Sequence, residues 1–116
     1  MPSILCERWD IALSTFPFIE APGTKLRPIL VLSSRDFNLQ HGLVVAAMIT
    51  TASAGRWASD HPVIDLASAG LTRNSVVRWK IFTLPTEVIA RRLGSLSQAD
   101  QALVLDQLDA IFPRTA

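Results

Sequence analysis

At 116 residues, with a hydrophobic fraction of 49% and a formal net charge of +1, the chain can fill one modest core without disulfide staples. It is too nearly neutral to hold long nucleic acid by bulk attraction. One cysteine, Cys6, excludes an intrachain disulfide, and one Cys with two His excludes a structural zinc site. The longest apolar run, Leu43 to Ile49, is far too short to span a bilayer. The first residues, Met1 to Arg8, hold no basic segment followed by a long apolar stretch, so an export signal is not expected and a cytoplasmic location is. The apolar fraction implies a well-filled interior or an apolar surface hidden in a dimer. Charge is uneven: residues 1–95 carry ten Lys/Arg and seven Asp/Glu (+3), and residues 96–116 carry one and three (−2). A mildly basic body of this kind suits a small local anion site and no more.

The pattern is of short β-type runs broken by turn residues, then one helix. Asp10 to Phe18 alternates loosely and reads as a first strand. Ile19 to Leu26 contains Pro22-Gly23, a turn signal. Arg27 to Ser34 is a second strand, and Asp36-Phe37-Asn38 with His41-Gly42 marks a connection with a helical turn. Leu43 to Thr50, apolar on both faces, reads as a central third strand. Thr51 to His61, rich in Ala, Ser and Gly, reads as a mobile loop, and Pro62 to Leu66 as a short edge strand. Gly70 and Asn74 bracket a turn before the β-branched run Ser75 to Phe82. Thr83 to Arg91 is ambiguous, and Arg91 to Leu96 returns to strand. Ser97 with Asp100 makes a capping-box-like start to a final helix ended by Pro113. Val104, Leu108 and Ile111, with Leu105 and Phe112 beside them, form its apolar stripe. The expected fold is mainly β: a small, strongly curved sheet or barrel, one domain over residues 1–116, with a C-terminal helix laid against it.

No phosphate-cradling Gly-rich loop and no nucleophile elbow appears. His41 and His61 fall in expected loops, where a solvated or turn-capping role is the ordinary one, and Cys6 falls in an expected loose tail. What remains is a set of donors at the ends of strands that would be neighbours in a small barrel. Arg27 follows the charged Lys25-Leu26 and opens the second strand, at the mouth of an apolar run beginning at Ile29. Its guanidinium is the side chain best shaped to grip a phosphate. Thr50 and Thr51 end the third strand with hydroxyls. Arg78 and Lys80 share one strand face, because alternate residues point the same way. Two guanidiniums and hydroxyls at one place suit a phosphodiester whose charge grows in the transition state. Trp57, an aromatic in the loop, is able to stack on an unpaired base or to fold back onto the barrel. Trp79 faces away from Arg78, into the core or an interface.

Five ordered pieces carry a resemblance: Trp9-Asp10-Ile11, Lys25-Leu26-Arg27-Pro28 with its Val-Leu-Ser-Ser tail, Ile49-Thr50-Thr51, Ser75-Val76-Val77-Arg78, and Arg91-Arg92-Leu93-Gly94-Ser95-Leu96-Ser97. Together they resemble the MazF/PemK family of toxins of bacterial type II toxin–antitoxin systems, over about residues 9 to 112. The resemblance implies an SH3-like barrel with a C-terminal helix, a homodimer, and a sequence-selective endoribonuclease that uses no metal or other cofactor. It implies cleavage of single-stranded RNA by attack of the 2′-hydroxyl, leaving 2′,3′-cyclic phosphate and 5′-hydroxyl ends. A cognate antitoxin with an acidic or disordered tail is the implied partner, in a complex that autoregulates on DNA. Residue by residue, Arg27 matches an arginine of acid–base catalysis and phosphate binding, Thr50 the hydroxyl residue at the scissile phosphate, and Arg78 a further catalytic arginine. Lys25, Thr51, Trp57 and Lys80 are the accompanying RNA-binding candidates. Three positions depart from the family pattern: Trp9 stands where Gly is common, Met48 replaces a proline, and Lys80 falls where some members have an acid. The competing readings are a CcdB-type gyrase poison on the related fold, and a barrel that has lost activity and survives as a binding module.

Overall fold

The structure, a computed structural model, describes residues 4–15, 25–53, 55 and 57–115. Six strands form one antiparallel sheet in the order β4-β5-β3-β2-β1-β6. They are β1 (Asp10–Thr15), β2 (Leu26–Val31), β3 (Leu43–Thr51), β4 (His61–Pro62), β5 (Ser75–Pro85) and β6 (Ile89–Ser95). Three helices punctuate them: α1 (Arg35–His41), α2 (Leu66–Ala69) and the C-terminal α3 (Gln98–Ile111). The mainly β architecture with a C-terminal helix is the expected one. The sheet is curled and barrel-like but open, because β4 and β6 are its two edges.

Each face of the sheet carries its own apolar cluster. On one face Ala12, Ile29, Val31, Val44, Ala46 and Leu84 pack with Ile89 and with Cys6 from the segment before β1. On the other, Ile11, Leu30, Ala47, Ile49 and Val77 pack under Val104 of α3. Consecutive residues therefore belong to opposite clusters, which is why β3 reads as apolar on both sides. The β3–β5 ladder steps from Ala47↔Ile81 to Met48↔Arg78, so Trp79 and Lys80 are two extra residues bulged out of β5.

Several boundaries differ from the sequence expectation. β1 ends at Thr15, and the remainder of the expected first strand and its turn, residues 16–24, lie outside the described residues. The second strand ends at Val31 because Ser33 leaves the ladder to organise a cap. Its hydroxyl accepts from Val45 N and donates to Asn38, whose amide donates to the carbonyl of Cys6. Ser34 then caps a complete helix, α1, which stops at Gly42 with φ 62°. His61 and Pro62 alone make β4, and Leu66 opens α2 instead of closing a strand. β5 runs three residues further than expected, to Pro85. Cys6 is not in a loose tail: it is fully buried, and desolvation pushes its thiol up to about 11, leaving it unreactive.

Two backbone positions explain pieces of the motif set. Trp9 has φ 77°, a left-handed conformation that costs a non-glycine residue about 1–2 kcal/mol. Its N–H donates to Val31 O and its carbonyl accepts from Leu96 N, so the strained turn ties three segments together. A glycine, which the resemblance leads one to expect at this position, takes such a backbone without strain. Gly94 allows α2 to lie directly on β6, since a Cβ there would come within 2.4 Å of Ser68 O and 2.7 Å of Ala69 C. Gly94→Ala is expected to destabilise the fold by about 3 kcal/mol, the upper end of overpacking costs, read as a lowered urea midpoint at unchanged slope.

Candidate functional site

The donors singled out in the sequence stand on strands β2, β3 and β5, which are adjacent in the sheet. Arg27 lies two positions before Ile29, where the paired β2–β3 ladder begins. Pro28, between them, has no N–H to give to a ladder. Arg27 therefore sits at the strand end nearest Thr50 and on the same face as Ile29. Its cross-strand partner on β1 is Ser14. Thr50 pairs with Val76, and Met48 pairs with Arg78. Alternation places Arg27, Thr50, Arg78 and Lys80 on one face of the sheet, the face that buries Ile29 and Ala46. Thr51 pairs with Ser75 and turns to the opposite side, where its hydroxyl lies 3.2 Å from Ser53 Oγ. Period-two geometry thus separates the two threonines, and Thr50 is the one that joins the arginines. Lys25 is exposed just before β2.

The two arginines are in different states. Arg27 Nε is buried and has no hydrogen-bond partner among the described residues. An unsatisfied buried donor costs about 1–3 kcal/mol, more when it is charged. Arg78, by contrast, is engaged: Nε donates to Asp60 Oδ1 at 3.1 Å, and Nη2 donates to Asp60 Oδ2 at 2.8 Å and to Gly55 O at 2.9 Å. Hydrogen bonding to Asp60 raises the Arg78 guanidinium above its ordinary value despite its burial. Asp60 Oδ2 also accepts Trp57 N at 3.0 Å. The expected mobile loop is therefore tied at its described residues to the arginine it covers. Sequence reading passed over Asp60; the signal that finds it is the one carboxylate between Thr51 and His61, just before a short edge strand.

Trp57 is 42% exposed and does not fold into either core cluster. Arg78 Cζ lies 5.3 Å, and Lys80 Nζ 5.4 Å, from its ring centroid, so both cations lean on one aromatic. Lys80 and Arg78 do share a face, as alternation requires, and the bulge does not part them. Trp79 goes the other way, into the cluster under α3, where its Nε1 donates to Gln107 Oε1 at 3.0 Å. Among the described residues no three of His, Cys, Asp and Glu form a group that could hold a metal ion.

His61 corrects the expectation of a solvated histidine. It is buried in β4, and its Nε2 lies 2.7 Å from Asp100 Oδ1. Asp100 also accepts from Ile64 N, Asp65 N and the Ser97 hydroxyl, while Ser97 Oγ accepts Asp100 N in the expected cap. Burial alone would raise the Asp100 carboxyl. The backbone bonds from Ile64 and Asp65, with those from His61 and Ser97, outweigh it and hold the group below the ordinary carboxylate range. His41, at the end of α1, is exposed and tilted against Phe37.

The whole is an open antiparallel sheet with cationic side chains on one face and a terminal helix on the other. Residues 7–112 match the family model of the PemK-like, MazF-like toxins of type II toxin–antitoxin systems, and the chain belongs to that family. Among solved structures it is similar to the Mycobacterium tuberculosis toxin MazF-mt6, with 25% identity and a TM-score of 0.70 over 89% of this chain and 95% of that one. The MazE–MazF complex of Deinococcus radiodurans matches with a TM-score of 0.77 at 18% identity, covering 97% and 99% of the two chains. A mycobacterial endoribonuclease in complex with its cognate antitoxin matches at 0.62 and 18% identity, over 91% of each chain. No curated sequence matches the chain. No helix among the described residues is long and apolar enough to cross a membrane.

Proposed function

We propose that the protein is a metal-independent, sequence-selective endoribonuclease toxin that cleaves single-stranded RNA. The observation that carries this reading is the buried Nε of Arg27, which has no hydrogen-bond partner among the described residues and lies on the same face and at the same strand end as Thr50. A nonbridging phosphate oxygen is the acceptor such a donor lacks. In the reaction, the ribose 2′-oxygen bonds to the adjacent phosphorus as the bond to the 5′-oxygen breaks. The 2′-hydroxyl gives up a proton and the departing 5′-oxygen gains one. Arg27 holds the phosphate and takes part in the proton transfers, Thr50 donates to a nonbridging oxygen, and Arg78 neutralises the charge that builds there. Lys80 binds phosphate as a flexible point charge. Lys25 adds a cation at the entrance. Thr51, turned to the other face, contributes to the strand end and not to the reacting phosphate.

Residues 1–116 act on this reading as one toxin domain in a homodimer, inhibited by a cognate antitoxin whose acidic tail competes for the same cations. Support comes from the antitoxin complexes among the matched structures, and from apolar side chains left exposed along α3, Leu105, Ile111 and Phe112. The test is incubation of purified protein with a long unstructured RNA in excess EDTA. Discrete cuts with 5′-hydroxyl ends are expected; cuts that need added metal, or that carry 5′-phosphates, would reject the mechanism. Trp57 supplies a stacking surface beside the phosphate. Trp57→Ala is expected to weaken binding of a 2′-O-methyl oligonucleotide by about 5- to 150-fold, the range measured for loss of one base–aromatic stack. Fluorescence anisotropy of a labelled strand reads it directly.

A further inference from the structure

A cleft of about 330 Å3 opens beside the phosphate-suited face, with Ala52, Gly55, Asp60, Pro62, Asn74 and Val76 among its walls. It shares those walls with the site: Val76 is the cross-strand partner of Thr50, and Asp60 is the carboxylate that holds Arg78. Its volume falls at the lower end of small-molecule sites, about 300–1,000 Å3, and suits a single planar ring. Pro62 and Val76 offer flat apolar contact. Of the polar side chains, Ser75 is committed, its hydroxyl donating to Arg73 O at 2.8 Å. The Asp60 oxygens already accept from Arg78 and Trp57 N. Asn74 differs. Its carbonyl is fixed by accepting Ala52 N at 3.0 Å, while its exposed side-chain amide makes no hydrogen bond among the described residues. A held backbone carrying an uncommitted amide at the mouth of a ring-sized cleft is the geometry of a reading group.

We propose that this cleft receives one unpaired nucleobase flanking the scissile phosphate, and that Asn74 reads its edge by paired hydrogen bonds. The proposal rests on the RNA-cleaving reading above and names how that site selects sequence. An amide places an acceptor beside donors and grips adjacent donor and acceptor atoms of a base. Adenine presents that pair as its N6 amino group and N7, the edge that suits an Asn amide, so adenine is the accepted base.

The test pairs binding with cleavage, using wild type and Asn74→Ala, whose exposed side chain can be removed without breaking a bond. Four 2′-O-methyl hexanucleotides, all A, all C, all G or all U, are titrated against each protein, and cut sites are mapped on a randomised RNA. Wild type is expected to bind the all-A strand at least about tenfold better than the other three, as one paired contact allows. Asn74→Ala is expected to level that ratio and to relax the base preference at one flanking position. A ratio that Asn74→Ala leaves intact, a uniform loss across all four strands, or a wild type without preference overturns the assignment. If wild type cuts RNA and the ratio is unmoved by the substitution, the base pocket alone falls. If the ratio levels but wild type cuts nothing, the pocket stands and the cleavage reading falls.

Discussion

Arg27→Ala is expected to lower RNA cleavage by about 10²–10³-fold, the cost of removing one preorganised donor from a developing charge, while the protein remains as stable as before or slightly more so. The two halves of this expectation come from the same atom. Arg27 Nε is buried and makes no hydrogen bond among the described residues, so alanine removes a group that folding leaves unsatisfied. A structural arginine behaves oppositely, and losing it lowers activity and stability together. Arg27→Lys is the informative companion. Lysine keeps the charge but replaces a planar fork with a flexible ammonium, so it is expected to bind RNA nearly as well while recovering only part of the rate. Single-turnover cleavage and urea denaturation of the three proteins check this, and a joint fall of rate and midpoint in Arg27→Ala would sink it.

Asp100→Ala is expected to be the most destabilising single change, at about 3–5 kcal/mol, because each buried donor left without an acceptor costs about 1–3 kcal/mol. The side chain is wholly inaccessible and accepts from His61, Ile64 N, Asp65 N and Ser97. Alanine leaves those donors without a partner and unlocks β4 and the entry to α2 from the start of α3. Acid should do the same by protonation. Because the folded carboxyl titrates below its ordinary value, its contribution is fully present above the ordinary carboxylate range. It is lost as pH falls through that range and down through the depressed folded value. Urea midpoints measured from pH 7 down to pH 3 are expected to drop for wild type, with a shallower acid limb for Asp100→Asn, which has no charge to lose there. Equal acid slopes for the two would show that other carboxylates govern the transition.

Local chemistry made much of this molecule readable, and long-range pairing hid the rest. Alternation was enough to put Arg78 and Lys80 on one side and Trp79 on the other, because a strand allows no other arrangement. The Ser97–Asp100 cap was visible because both partners lie within one helical turn. Asp100 nevertheless spends most of its acceptor capacity on residues 35 to 39 positions earlier, a relation no local pattern encodes. His61 was misread for the same reason, and Asp60 was passed over although it holds Arg78. The apolar stripe of α3 was read correctly as a spacing but not as a depth. Val104 is buried, whereas Leu105, Ile111 and Phe112 remain 39%, 40% and 60% exposed. Ser33 illustrates the remaining error: a residue that looks like strand by sequence is claimed by a cap through its hydroxyl.

Exposed apolar residues at its end make α3 one element by hydrogen bonding and two by anchorage. Asp100, Val104 and the Trp79–Gln107 bond pin its body, whereas Phe112 at its end borders an open cleft shared with Leu32, Val45 and Ile81. A helix end with few buried contacts opens at a lower free energy than the sheet unfolds. That end belongs to the helix that covers one face, whereas Arg27 and Thr50 stand on the other, with the full thickness of the sheet between them. The molecule thus has a back that is free to be remodelled by whatever settles there and a front whose chemistry need not register it.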